Sequence, residues 1–307
     1  VEVELEAAGA RPEDYDDRNG YLAAFLADHE DFVVKLPLPR DQTEDLVPVE
    51  RAKEGRPFEL CYRNFSVVMS RTRRLCWITG VNIDGGEPFH KAKRPGWRTD
   101  PRIPKDLQVG GDDFYVPTVF DRGHMVRRLD PVWGDKGDAL QANSDTHHYT
   151  NSCPQIHSFN DQTWGDLEDW ILEQEQTRDS KACVFTGPVF GGEDPLHHGV
   201  PVPVRFFKLV VVINDATSKL SATAFVMDQS DVMPPPDGVP RPEAPFDPGK
   251  FHVDQVTLAD LAEESGLDLD ALLPFDALAA HPIPEAVGRV RLPIQSLRDA
   301  VLWAPRK

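Results

Sequence analysis

From Leu60 onward the chain is built of short apolar runs, not helical stripes. Cys61–Met69 and Leu75–Asp84 are rich in β-branched and aromatic residues, flank a basic turn at Arg71–Arg74, and end at Gly85-Gly86. They predict a long antiparallel hairpin. Cys183–Phe190, Pro201–Ile213 and Leu220–Met227 predict three further strands, the last two antiparallel neighbours. Lys208 inside one of these apolar runs reads as a structural, snorkelling or edge residue. Helical spacing is confined to a few places. Trp164, Leu167, Trp170 and Ile171 predict a helix opening at Asn160, a good N-terminal cap. Thr257–Glu263 reads as a capped helix start closed by Gly266. Leu22, Phe25 and Leu26 predict one or two amphipathic turns within Tyr21–Phe32. The prolines of Val33–Pro39 then force extension, and Asp41–Glu54 reads as an acidic loop or surface helix. Residues 135–148 are polar, and the adjacent His147 and His148 point opposite ways on a strand, which suits surface or packing roles.

The expected fold is α+β, with a central, mostly antiparallel sheet flanked by helices. Residues 1–59 are an acidic lead-in packed on or preceding the core, and residues 60–307 form the main domain. A proline-rich excursion interrupts that domain at 228–250.

Composition narrows the class. An apolar content of 40% supports a real core, and no apolar run approaches the roughly 20 residues that cross a bilayer, so no membrane partner is expected. The acidic start lacks the layout of a signal peptide and an initiator Met, which suggests a processed chain or a piece of a longer polypeptide. Four cysteines without a C-x-x-C pair read as buried, reduced thiols. The net charge of −18 argues at first against a nucleic-acid binder. Its distribution argues the other way: residues 61–130 carry 13 basic and 8 acidic residues, a net of +5, which leaves −23 elsewhere. An acidic body with a basic cleft can still engage DNA or RNA, with little non-specific sticking.

The positive segment leads into Asp121-Arg122-Gly123-His124, followed by Thr150-Asn151-Ser152-Cys153-Pro154-Gln155 and then Phe159-Asn160 through Trp164 to Leu167-Glu168. A neutral imidazole can take a proton from water, near its ordinary pKa of about 6.5. An arginine fork can hold a pair of non-bridging phosphate oxygens. A hard cation held by one amide oxygen and several waters can neutralise a phosphate as charge builds. Asn160 and Glu168 stand about two helical turns apart, so both can look into one shallow site. Each residue alone has a bland explanation; the set in this order does not.

The three-part spacing resembles the DNA/RNA non-specific endonuclease family, the ββα-metal, endonuclease G-like nucleases. A strand, a basic turn and a strand ending in N-I-D-G precede the catalytic segment in that family too. The resemblance covers roughly residues 60–275 and implies a metal-finger active site that cuts DNA and RNA with little sequence preference. It implies His124 as general base and Asn160 as the sole direct protein ligand of one Mg²⁺, with Mn²⁺ a substitute. Glu168 and Asn151 would order the waters and the site. Arg122, with Arg94 or its neighbour Lys93 as second candidate, would steady the charge on phosphorus, and Asp121 would anchor the strand end. Products would carry 5′-phosphate and 3′-hydroxyl ends. Trp97, in the basic loop Lys91–Arg102, would pack the loop or stack on a base. Family members are often homodimers, and the lead-in resembles bacterial members that sit behind a protease-like domain, which points to a larger parent chain; with no signal peptide or membrane span in this sequence, the bacterial cytoplasm is the expected location. Two other readings are a latent nuclease restricted to one substrate and released by a partner, and a non-catalytic nucleic-acid- or partner-binding module.

Overall fold

The structure is a computed structural model that describes residues 10–87, 93–116, 118–157, 180–238, 252–281, 291–294 and 300–301. Its strands are β1 (Glu59–Tyr62), β2 (Phe65–Met69), β3 (Cys76–Asp84), β4 (Phe120–His124), β5 (Ser152–Ile156) and β6 (Lys181–Val189). Then follow β7 (Leu196–His197), β8 (Val200–Pro201), β9 (Arg205–Asn214), β10 (Lys219–Asp228), β11 (His252–Val256) and β12 (Arg291–Ile294). Eight of them form one sheet in the order β1-β2-β3-β6-β9-β10-β11-β12, every neighbouring pair antiparallel. Two α-helices are described, α1 (Lys136–Asp145) and α2 (Leu258–Ser265). The mostly antiparallel α+β expectation holds.

The strands read as near-continuous apolar runs because the sheet is buried on both faces. Phe206 packs into one core with Tyr62, Phe65, Val67 and Val81, while Phe207 faces the other way, toward Tyr21, Phe185 and Leu209. Lys208 lies between β6 and β10, buried, with its Nζ donating to Thr186 Oγ1 at 3.0 Å. It is thus a structural lysine of the sheet interior, not of an edge.

Three local expectations change. The first predicted strand is two, because the chain turns at Arg63-Asn64, where Asn64 takes a φ of 67°. Tyr21–Phe32 forms no α-helix. Its backbone is spent on tertiary partners: Tyr21 N donates to Ser66 Oγ (2.9 Å), and Leu22 exchanges bonds with the Asn82 amide (2.8 and 3.2 Å). Conversely, the polar stretch 135–148 contains α1, which buries only small and polar residues: Ala139, Ala142, Asn143 and Asp145. Helix α2 matches its capping signals, with Thr257 Oγ1 accepting from Asp260 N (3.1 Å) and Gly266 left-handed at φ 71°.

β4 and β5 make a separate two-stranded ribbon laid on the first core through Phe120, Met125, Val126, Cys153 and Ile156. Gln229 fastens it, accepting from Ile156 N (3.0 Å) and donating to the carbonyls of Pro154 (3.3 Å) and Pro203 (2.8 Å). The sheet thereby presents the ribbon as a rigid platform.

Candidate active site

Pairing in the ribbon sets His124 opposite Ser152, Gly123 opposite Cys153, Arg122 opposite Pro154 and Asp121 opposite Gln155. Side chains alternate along a strand, so Arg122 and His124 share one face. Gly123 is required by a close approach: a Cβ there would lie 1.9 Å from Gln155 Oε1. Asn151 closes the open end. Its Oδ1 accepts from Val126 N (2.9 Å), and its Nδ2 donates to the carbonyls of Val126 (2.9 Å) and Thr146 (3.0 Å). Buried and spent on backbone, Asn151 fixes the chain that emerges from His124.

His124 is half-buried in an aromatic socket. The Trp97 ring lies 4.7 Å from it, His147 lies 5.0 Å away at 78°, and Trp97 also contacts His147 (5.2 Å) and Tyr149 (5.9 Å). Trp97 therefore packs the loop onto the imidazole. Burial, then the neighbouring His147, Arg128, Arg94 and Arg127, push the His124 pKa well below the ordinary imidazole value. This corrects the expectation of a pKa near 6.5. The shift favours the neutral ring, and its buried Nε2 has no hydrogen-bond partner among the described residues.

Arg122 is half-buried with its guanidinium 5.6 Å from the centre of the Tyr115 ring. A Cβ on Gly111 would lie 2.3 Å from the Tyr149 hydroxyl, with Arg122 Nη2 next to it at 3.3 Å, so a glycine lets the loop close on Tyr149 beside the arginine. Arg122 Nε and both amide atoms of Gln155 are buried without hydrogen-bond partners among the described residues, like His124 Nε2. Among the described residues the ribbon thus holds four buried polar atoms without a protein partner, which makes it the candidate ligand site.

Asp121 pairs with His157, Oδ2 to Nδ1 at 2.7 Å, at the outer end of the ribbon and away from the socket. Arg94 is exposed, on a loop anchored beside the socket by Asn143 Nδ2, which donates to Lys93 O at 2.8 Å. Asn160 and Glu168, and the helix expected to carry them, lie outside the described residues. Among the described residues no cluster of His, Cys, Asp and Glu would hold a metal.

His148 is buried structure. Its Nδ1 donates to Asp145 O (2.8 Å), its Nε2 takes Arg98 Nε (3.1 Å) and Tyr15 OH (2.7 Å), and burial pushes its pKa down to about 3. His147 also packs, yet it packs on the imidazole of His124. Nothing in the polar stretch 135–148 signals that placement. Gln155 stands in the P-Q pair of the second motif, and only the space a Cβ at position 123 would contest reveals how tightly it is placed.

The described geometry joins a neutral imidazole and a guanidinium on one strand face, with basic side chains around them. The profile of the DNA/RNA non-specific endonucleases matches residues 42–276. The chain belongs to that family. It is 35% identical over 299 residues to the uncharacterized protein y4fB of Sinorhizobium fredii, covering 90% of this chain and 42% of that protein. It is 28% identical over 216 residues to mitochondrial endonuclease G of Bos taurus (60% of this chain, 65% of that one). A nuclease of Nostoc sp. is 28% identical over 128 residues (42% and 44%). The chain spans less than two thirds of the length of these relatives. Among solved structures, the EndoG/EndoGI complex, described as showing the mechanism of EndoG inhibition, matches with a TM-score of 0.51 at 20% identity. That match covers 68% of this chain and 84% of the other, and it shows a shared fold. No helix among the described residues is long and apolar enough to cross a membrane.

Proposed function

We propose that this family member hydrolyses phosphodiester bonds in DNA and RNA with the aid of a divalent cation and without sequence preference. The observation that carries the reading is the neutral, half-buried His124 imidazole, its Nε2 unspent, beside Arg122 on the same face of β4. Nε2 accepts a proton from water as the water oxygen attacks phosphorus in line. The P–O3′ bond breaks, leaving a 5′-phosphate, and the departing oxygen takes a proton from solvent to become a 3′-hydroxyl. Arg122 donates to the non-bridging oxygens as negative charge accumulates. Trp97 and His147 hold the imidazole in line, and Asn151 holds the strand end.

The donor chemistry fits a Mg²⁺ ion that keeps most of its waters: the expected protein ligand is the single Asn160 amide, with Glu168 ordering waters, while Gln155, shortly before Asn160 in the chain, has amide atoms without partners among the described residues. Bound there, Mg²⁺ or Mn²⁺ would neutralise developing charge on the phosphate and leaving oxygen. Contacts to phosphate and metal carry no base information, which is the reason to expect DNA and RNA alike as substrates. The test is degradation of plasmid DNA and single-stranded RNA with Mg²⁺ and with EDTA. Metal-dependent cutting of both supports the reading; cutting of neither by folded protein rejects it.

A further inference from the structure

Arg127 and Arg128 follow His124 by three and four residues, and the mechanism above leaves both unused. Their backbone is fixed: Asn151 clamps Val126 just before them, and Asp130 N donates to Arg127 O (3.2 Å) in the turn after them. Arg128 Nη1 donates to Asn143 Oδ1 at 3.0 Å. The same buried amide donates through Nδ2 to Lys93 O (2.8 Å), and the Asn143 carbonyl takes His147 Nδ1 at 3.2 Å. Asn143 thus ties Arg128 to the loop that carries Arg94 and, three residues on, sets Trp97 on the His124 ring.

Three guanidiniums are thereby gathered beside the base, in the most basic part of an acidic chain. Burial and then Arg94 and Arg127 pull the Arg128 pKa down, and all three arginines depress His124. A cluster of guanidiniums in the basic stretch of an acidic chain is the kind of surface that draws in a polyanion.

We infer that Arg127 and Arg128, with Arg94 beside them, form a second phosphate subsite that grips the backbone phosphate next to the scissile one. A strand is then held at two points, by Arg122 at the reacting phosphate and by the arginine pair at its neighbour. Asn143 is the positioning residue that keeps Arg128 in place. The ligand class rests on the phosphodiester reading above, but the test does not need cleavage.

The experiment is fluorescence anisotropy of a labelled short single-stranded DNA in EDTA, titrated across salt concentrations. Loss of one single-strand phosphate contact lowers the slope of log affinity against log salt by about 0.7. That drop, with weaker binding, is expected for Arg127→Gln/Arg128→Gln. Arg128→Lys keeps the charge and the wild-type slope. Arg127→Gln alone leaves the Arg128–Asn143 bond intact and gives a folded protein with part of the loss. Lys219→Gln, at an exposed position opening β10, is the control for net charge and leaves the slope unchanged. A double variant with wild-type affinity and slope overturns the inference. So does an equal loss in Lys219→Gln, or a wild-type protein that does not bind the DNA. A protein that binds with these slopes but never cuts would sink the proposed activity and leave the subsite standing; intact cutting with unchanged slopes would do the reverse.

Discussion

Gly123 and Gln155 compete for one space on the ribbon, since a Cβ at residue 123 would sit 1.9 Å from the Gln155 amide oxygen. The glycine between Arg122 and His124 is a packing demand imposed from the partner strand. Gly123→Ala must push Gln155 or the strand aside and misplace His124. A displacement of about 1 Å at a reacting group can cost on the order of 10²-fold in rate. Steady-state cleavage of DNA by Gly123→Ala and by Gly123→Ala/Gln155→Ala reads this directly. The double variant, with the obstructing amide removed, should recover part of the loss; a fully active single variant would refute the packing account.

Asn151 should matter for stability as much as for rate. Asn151→Ala strands Val126 N, Val126 O and Thr146 O in a buried setting. Each unsatisfied buried group costs about 1–3 kcal/mol, so a loss on the order of 3 kcal/mol is expected. Urea unfolding checks it, and a change below about 1 kcal/mol would contradict the clamp.

The rate profile with pH follows from the socket. A protonated imidazole cannot accept a proton, and burial together with the surrounding cations lowers the His124 pKa. The acid limb of kcat/KM, which reports free enzyme, therefore falls well below pH 6.5 or so. Bound phosphate offsets the arginines, so the limb of kcat should lie higher than that of kcat/KM. An acid limb of kcat/KM at or above about 6.5 would show that the base is elsewhere or that the socket opens in solution.

Folding stability carries its own pH signature. His147 and His148 are held neutral, with pKa values pushed down to about 4 and about 3, burial being the main cause in both. Unfolded histidines titrate near 6.5, so the unfolded chain binds more protons below that pH. The contribution is complete above about 6.5 and is lost as pH falls toward 4, at about 1.4 kcal/mol per pH unit for each imidazole. Urea midpoints measured from neutral to acid pH test it, and His147→Phe should show a shallower slope by about one proton.

The sheet was legible wherever burial on both faces left apolar runs, as in β9 and β10. The Cys61–Met69 run hid a turn because Arg63 and Asn64 interrupt it without glycine or proline. Helix α1 was illegible because alanines and polar side chains, not large apolar residues, fill its buried face. Tyr21–Phe32 had helical spacing but lost to hydrogen bonds from Ser66 and Asn82, distant in sequence. At the site, motif order grouped Asp121 to His124 with Asn151, and the structure brings them together on the ribbon and at its open end. The socket could not, because Trp97 and His147 meet His124 only through tertiary packing, and His147 lies in a stretch with no periodic signal.

The most direct measurement compares wild type with His124→Ala on plasmid DNA and single-stranded RNA, each with Mg²⁺ and with EDTA. The account predicts metal-dependent cutting of both by the wild type, and a fall of at least about 10²–10⁴-fold in the variant at unchanged folding. Cleavage by His124→Ala within about tenfold of wild type would remove His124 as the general base and contradict the central claim.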